Sequence, residues 1–429
     1  MRTMKDSGIE WIGKIPQNWQ TKKLKYCVNL RLEKTADKAS SAPYIGLEHV
    51  SSFTGTLCEN YEAIMDFDGD TLDFHQGDVL FGKLRPYLAK AYIAKDRGRC
   101  SSEFWIMKPA GIEGKFLLYY VLSNGFISDI DHSTFGVKMP RADWAYAGNE
   151  KISFPPQEEQ IRIIAYLDSK CAEIDALIAA KEKTNILLKE RRQSIIYEAV
   201  TKGLDPDAPM KDSGVEWIGQ IPEKWRVYRS KYLLAQVKDA IKAGPFGSSL
   251  TSSDMQESDV KVFNQRSVLD NDFDAGDEYV SVEKSLELKG FIAKAGDVLI
   301  TTRGTIGKTA IVPNGKQGIL HPCLIKMVID DNVFLKTLLC RIFNETNMLT
   351  EQLRLASNAT TIDVIYTQNL LNLYIPVPPI EAQEAIEKFL CKECGELDKL
   401  ISLNESSIQK LKEYRQSLIY EAVTGKVEV

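Results

Sequence analysis

The sequence is poor in the residues and patterns that carry bond chemistry. It has 4 histidines among 429 residues, and His49, His75, His132 and His321 stand apart from one another, without the spacing of a metal or acid–base site. No G-x-S-x-G nucleophile turn, no H-E-x-x-H and no complete Walker loop appears. FPPQ and VPPI lack the polar first residue and the closing aromatic of the Asn/Asp-Pro-Pro-Tyr element of base methylation. Long uncharged apolar runs are missing too: none reaches the roughly 18 residues of a membrane span, and MRTMKDSGIEW is no secretory signal. A cytoplasmic protein with no membrane partner is expected. The 8 cysteines follow no disulfide framework, as befits reduced thiols. Cys391 and Cys394 form a C-x-x-C without a second pair or a nearby histidine, and they read as structural. Nor is there an excess of positive charge: 54 basic against 59 acidic side chains leave a net charge of −5. That excludes nonspecific coating of nucleic acid and leaves room for a local basic groove.

What the sequence does have is a long helix written twice. Pro155 and Pro156 set a helix start, and Glu158 and Glu159 place negative charge in its first turn, where the helix dipole favours it. No Gly or Pro follows until Gly203. Ile164, Leu167, Cys171, Ile174, Ile178, Leu188, Ile195 and Ala199 recur at alternating spacings of three and four, a heptad seam. Lys181, Asn185 and Arg192 interrupt the seam and so specify its register. About 45 residues at 1.5 Å each predict a rod of roughly 65 Å. A shift of 223 positions lays this stretch on Pro378–Lys426 without a gap: Cys171 falls on Cys394, Asp175 on Asp398, Leu188 on Leu411, and RQSIIYEAVT on RQSLIYEAVT.

The repeat extends to both halves of the chain. MKDSGIEWIGKIPQNW (Met4 to Trp19) returns as MKDSGVEWIGQIPEKW (Met210 to Trp225), with 12 of 16 positions identical. Two Trp, with Gly and Pro, in so short a piece predict an ordered, packed loop. Each half is therefore leader, variable block and long helix. The expected boundaries are a first globular domain over 1–152, a helix over 153–203, a second globular domain over 204–375 and a helix over 376–429. The variable blocks share a plan: a Gly-Asp turn, a short apolar strand, a basic loop and another strand, as in HQGDVLFGKLRPYLAKAYIA and KAGDVLITTRGTIGKTAIV. A further strand, a helical segment (near Phe116 to Ile130, and Val333 to Leu353) and a polar loop follow. The fold class is α/β (α+β), mostly antiparallel, with two globular domains separated by an antiparallel pair of long coiled-coil helices in an internal two-fold pseudo-repeat.

The basic loops hold Lys83, Arg85 and Lys90 in the first block, and Thr301, Thr302, Arg303 and Lys308 in the second. RGTIGKT resembles the tail of a phosphate-binding loop, but Thr302 stands where a glycine is required. TAIVP then predicts a strand rather than a helix, so nucleotide binding is rejected. Contact with phosphates or base edges suits these loops, and a plain surface hairpin is the alternative. GPFGSSL (Gly244 to Leu250) suits either a turn or close backbone approach to a phosphate.

Two half-copies, each a variable block before a matching long helix, resemble the specificity subunits of bacterial type I restriction–modification enzymes. The resemblance covers the whole chain and rests on the doubled EWIGxIPxxW leader, the PPxEEQ helix starts and the RQSxIYEAVTxG helix ends, with GPFGSSL, GDVL and RGTIGK in support. It implies a noncatalytic DNA-binding subunit whose two target-recognition domains each read half of a split site in double-stranded DNA, with the helices as spacer. It also implies two methyltransferase subunits that use S-adenosylmethionine on adenine, and restriction/translocase subunits that use ATP and magnesium, while the chain itself holds no cofactor and no metal. DNA contacts are then expected from Lys83, Arg85, Lys90, Lys138, Arg141, Gly247, Ser248, Ser249, Thr302, Arg303, Lys308 and Thr360. Methyltransferase contacts are expected from Trp11, Trp19, Tyr197, Trp217, Trp225 and Tyr420. The competing readings are a noncatalytic coiled-coil scaffold that binds protein and, third, an ATP-hydrolysing enzyme built on the Lys308 loop.

Overall fold

A computed structural model of the chain describes residues 2–34, 42–58, 60–62, 71–136, 138–216, 218–256, 259–357 and 364–429. Two compact units result, Met1–Lys183 with Asn404–Val429, and Thr184–Leu403. Their borders fall inside the long helices, so each unit combines one globular block with part of both helices, instead of following the chain in order as the sequence boundaries do.

In the first unit a four-stranded antiparallel sheet runs in the order Val28–Arg31, Phe104–Pro109, Val79–Gly82, Ala91–Ile93. A smaller sheet pairs Gly98–Ser101 in parallel with Tyr44–Ile45 and antiparallel with Thr71–Phe74. The second unit repeats both arrangements. Its four-stranded sheet runs Ile241–Ala243, Leu324–Met327, Val298–Thr301, Thr309–Ile311. In its other sheet Gln317–Leu320 is parallel to Val260–Phe263 and antiparallel to Ile292–Lys294. The expected helical segments are each broken in two, Gly114–Val121 with Asn124–His132, and Lys336–Glu345 with Met348–Ser357. Blocks with little common sequence thus share one topology, and the Gly-Asp turns show what preserves it. Asp78 accepts the His75 N–H at 2.8 Å and Asp297 accepts the Lys294 N–H at 2.8 Å. Each aspartate closes the turn that starts the central strand, and each is almost fully buried.

The long helices run Gln157–Lys202 and Ile380–Val423, 46 and 44 residues, which at 1.5 Å per residue is about 69 and 66 Å. Gly203 and Gly425, with φ of 77° and 70°, end them in the left-handed conformation that only glycine adopts without strain. In the first unit the helices are antiparallel, since Asp175 meets Arg415 while Lys181, further along, meets Asn404. Leu167, Cys171, Ile174 and Ile178 share a core with Ile408, Leu418 and Ala422. The seam differs from expectation at its ends: Ile163 and Ile196 are buried, whereas Ile164 and Ile195 are half-buried. A helix with 3.6 residues per turn drifts from a 3.5-residue seam, and the globular blocks cover the neighbouring stripe. The polar interruptions are structural. Arg415 lies 2.9 Å from Asp175 and donates to the Phe53 carbonyl at 2.8 Å. Its repeat equivalent Arg192 lies 2.8 Å from Asp398, the equivalent of Asp175, and 2.9 Å from Glu345.

A buried glutamine ties each helix to its block. Gln160 accepts the Glu113 N–H at 2.8 Å and donates to the Pro155 carbonyl at 2.9 Å. Gln383 accepts the Leu335 N–H at 2.9 Å and donates to the Pro378 and Val333 carbonyls, both at 2.9 Å. Glu113 and Leu335 are the N-caps of the block helices. One side chain therefore satisfies a free N–H at the start of a block helix and a carbonyl at the start of the long one. Gln383→Leu is expected to strand these buried groups at about 1–3 kcal/mol for each one left unpaired, and to lower the melting temperature. An unchanged thermal melt would remove the glutamine from the joint.

The first and last described residues of the first unit lie together. Arg2 pairs with Glu428 at 3.6 Å, and the Lys426 ammonium donates to the Ile12 and Lys14 carbonyls, each at 2.8 Å. Joining residue 429 to residue 1 and reopening the chain near Asp207 is expected to give a folded protein with the parent's circular dichroism and melting behaviour.

Candidate nucleic-acid interface

In the second unit two loops hang from one turn. The Gly244 N–H donates to the Leu324 carbonyl at 2.9 Å, and a Cβ on Gly244 would stand 2.2 Å from the His321 carbonyl, so only glycine fits that path. Buried Pro245 and Leu250 pin the loop at both ends and hold Phe246, Gly247, Ser248 and Ser249 outside. Phe246 is 88% exposed, which is unusual for so large an apolar ring. The basic loop hangs from the same turn, because the Thr302 N–H and its hydroxyl both donate to the Cys323 carbonyl at 2.9 Å. Burial holds His321 below the usual histidine range, and its Nδ1 accepts the Cys323 N–H at 3.2 Å. The Ile365 N–H donates to the Thr302 carbonyl at 3.0 Å, bringing exposed Tyr366 to this end of the sheet. Arg303 is exposed there, and Gln265 and exposed Arg266 flank the loop through a contact with the Thr305 carbonyl at 3.5 Å.

Not every expected contact residue points outward. Thr302 is 3% exposed, with its hydroxyl spent on the framework. The Lys308 ammonium donates to the Asn344 carbonyl at 2.8 Å, so it anchors the loop to helix Lys336–Glu345. The segment after it is the strand Thr309–Ile311, as the sequence predicts, where a phosphate-binding loop runs into a helix. Thr360 lies outside the described residues.

The first unit builds the same end of its sheet from different side chains. The Lys83 N–H donates to the Glu103 carbonyl, and the Lys83 carbonyl accepts the Ala142 N–H, each at 2.9 Å, as Thr302 does with Cys323 and Ile365. Arg85 has a left-handed φ of 51°; its N–H reaches the Pro140 carbonyl at 2.8 Å and its guanidinium the Lys138 carbonyl at 3.4 Å. The two loops thereby close on each other. Arg85 and Lys138 are exposed, and half-exposed Lys83 makes no side-chain hydrogen bond or ion pair among the described residues. Arg141 and Lys90 are occupied. Arg141 grips both Glu103 oxygens, the shortest contact being 2.8 Å, and the Lys90 ammonium donates to the Leu47 carbonyl at 2.7 Å. Exposed Phe135, Met139 and Tyr87 complete the edge. In both units this is a basic, hydroxyl-bearing rim with protruding rings, suited to phosphates and base edges.

The Methylase_S family, described as the type I restriction modification DNA specificity domain, matches residues 247–413. The type I restriction enzyme EcoDI specificity subunit of Escherichia coli is 26% identical over 199 residues, 43% of this chain and 42% of that protein. The MjaVIII specificity subunit of Methanocaldococcus jannaschii is 24% identical over 307 residues, 70% of this chain and 68% of that one. The chain thus spans less than half the length of the first relative and about two thirds of the second. A solved chain from a type I R-M system shares the fold at a TM-score of 0.72 and 20% identity, covering 96% of this chain and 99% of that one. Residues 247–413 therefore match the type I DNA specificity domain, and the chain as a whole is similar to specificity subunits of type I restriction enzymes.

The aromatic residues that the family resemblance assigned to partner contact are mostly internal. Trp19 and Trp225 are 1% and 5% exposed and serve the cores of their units. Trp11 is half-buried between Tyr120 and Tyr420, and its carbonyl accepts the Tyr420 hydroxyl at 3.0 Å. Tyr197 is half-buried, and burial raises its phenol above the usual range. Trp217 lies outside the described residues. The repeated leader is kept because it packs, and that alone accounts for most of its tryptophan. Among the residues that sequence reasoning passed over, Phe246 carried a readable signal, a large ring between glycines and serines that cannot be core.

Two basic residues of one loop should separate by experiment. Arg303→Ala is expected to weaken binding to a recognised duplex by about 1–3 kcal/mol at matched salt without lowering the melting temperature. Lys308→Ala is expected to lower the melting temperature and leave the salt dependence of binding as it was.

Proposed function

We propose that the chain is the sequence-reading subunit of a type I restriction–modification complex. Each unit reads one half of a bipartite site in double-stranded DNA. Adenine methylation belongs to two partner methyltransferase subunits using S-adenosylmethionine, and cleavage to restriction/translocase subunits using ATP and magnesium. The observation that carries this reading is the rim at one end of the repeated sheet. The same backbone connections recur in both units, while the side chains they hold out differ: Arg85, Lys138 and Phe135 in one, Arg303, Ser248 and Phe246 in the other. A conserved frame with exchanged contacts is what two readers of different half-sites need. The catalytic motifs missing from the sequence support a noncatalytic role. The competing scaffold reading has no use for glycine-held basic rims, and it predicts no steep salt dependence of duplex binding.

Exchanging Gln20 to Lys151 for the matching block of a relative, in the assembled complex, is expected to change one half of the methylated site and leave the other intact. Genome-wide methylation mapping reads this directly, and a change in both halves refutes independent reading. Methyl transfer by the purified chain without partners would overturn the noncatalytic assignment.

A further inference from the structure

The repeat is broken at one place in a chemically specific way. In the first unit the Glu159 carboxylate is 4% exposed and sits among three donors: Trp19 Nε1 at 3.1 Å, Arg2 Nη1 at 2.6 Å and Asn18 Nδ2 at 3.1 Å. Burial alone would raise this carboxyl; the hydrogen bonds from Trp19, Arg2 and Asn18 outweigh it and hold the group below its ordinary range. In the second unit the leader repeat places Ala208, Lys224 and Trp225 where Arg2, Asn18 and Trp19 stand, and the helix repeat places Ala382 where Glu159 stands. The indole itself is kept in the same setting. Trp225 packs beside Gly203, 3.1 Å from the position of an added Cβ, as Trp19 packs beside Gly425 at 3.1 Å. The acceptor has gone, and with it the Arg2 and Asn18 donors that accompany Trp19 in the first unit. A cavity of about 310 Å3 opens there, lined by Trp225, Lys224, Lys202, Ala208, Ala382 and Ile386 among others. The Trp225 N–H has no acceptor among the described residues.

We propose that this cavity is a seat for a carboxylate supplied in trans: an Asp or Glu side chain of the partner methyltransferase subunit, taking the place that Glu159 fills in the first unit. The proposal rests on the reading of the chain as a specificity subunit. The indole N–H offers the incoming oxygen the bond that Trp19 gives Glu159, and Lys224 supplies the positive charge that Arg2 supplies there. Ala382 and Ile386 give an apolar wall for the methylene stem. Two acidic residues also line the cavity. Asp205 is engaged with its own turn, accepting the Asp207 N–H at 3.0 Å, and Glu223 is exposed at the rim, so neither replaces the missing carboxylate. A carboxylate delivered by a partner would give the Trp225 N–H the acceptor that Glu159 gives Trp19.

The test uses the full-length chain and its cognate methyltransferase subunit, with affinity measured by calorimetry and folding by thermal melts. Trp225→Phe removes the N–H together with part of a ring that packs in the core of its unit. It is expected to weaken methyltransferase binding about tenfold, the worth of one charge-assisted hydrogen bond, and to lower the melting temperature only by the packing lost. Trp19→Phe also strips a donor from the buried Glu159 carboxylate, and is expected to lower the melting temperature further while sparing the affinity. Ala382→Glu restores the internal carboxylate and is expected to keep or raise the melting temperature while blocking the seat. Wild-type affinity in both Trp225→Phe and Ala382→Glu overturns the seat and leaves the functional reading standing. A wild-type chain that does not bind the methyltransferase subunit overturns both.

Discussion

Each unit depends on how a long helix is joined to a globular block, and that joint is a buried amide. Gln160 and Gln383 each accept an N–H from the first turn of a block helix and donate to the carbonyl of the proline that precedes the long helix. N–H groups at a helix start have no partner within their own helix, the Pro155 and Pro378 carbonyls lie ahead of the long helices, and burying such groups unpaired is costly. A glutamine carries both a donor and an acceptor on a stem long enough to reach two helix starts at once. A carboxylate would lack the donor, and an apolar side chain would lack both. With the joint set, the sheet lies at a fixed height on the helix, and the loops at its far end are presented from a rigid frame.

That frame explains how two blocks diverge so far in sequence without losing their topology. What is retained is backbone-directed: the Asp78 and Asp297 turns, the strand order, and the pair of backbone bonds by which Lys83 or Thr302 donates to the turn opposite the basic loop and accepts from Ala142 or Ile365. What changes are side chains at the sheet end that contribute little to either core. The same freedom shows at Arg192 and Arg415, which occupy one repeat position. Each pairs with the aspartate of the facing helix, but one also holds the side chain of Glu345 and the other the carbonyl of Phe53. The seam interaction is common to both, and the outward one belongs to whichever block lies there.

Much of this was legible beforehand. The doubled helix, its polar interruptions, the packed leader and the shared strand–loop–strand plan follow from periodicity and self-similarity, because burial of one helix face forces a periodic pattern into the chain. The direction of individual cations was not legible. Lys83 and Lys90 look equivalent in a basic loop, yet one ammonium is without a partner among the described residues and the other is held by the Leu47 carbonyl. Lys308 is held by a carbonyl 36 residues away. No local pattern encodes such a partner, since the bond depends on which backbone oxygen the fold brings within reach.

The sequence by itself determined the repeat, the helices and the class of protein, because each rests on residue order over short or regularly spaced distances. Only the tertiary structure decided which residues face outward and which the fold consumes. It engaged Thr302, Lys308, Lys90 and Arg141 with the protein's own acceptors and buried Trp19 and Trp225. It also left an indole donor facing a cavity where the other copy holds a carboxylate. The physical reason is the same throughout. A polar atom's role is set by the nearest complementary atom in space, and in a chain with a long-range fold that atom is seldom a neighbour in sequence.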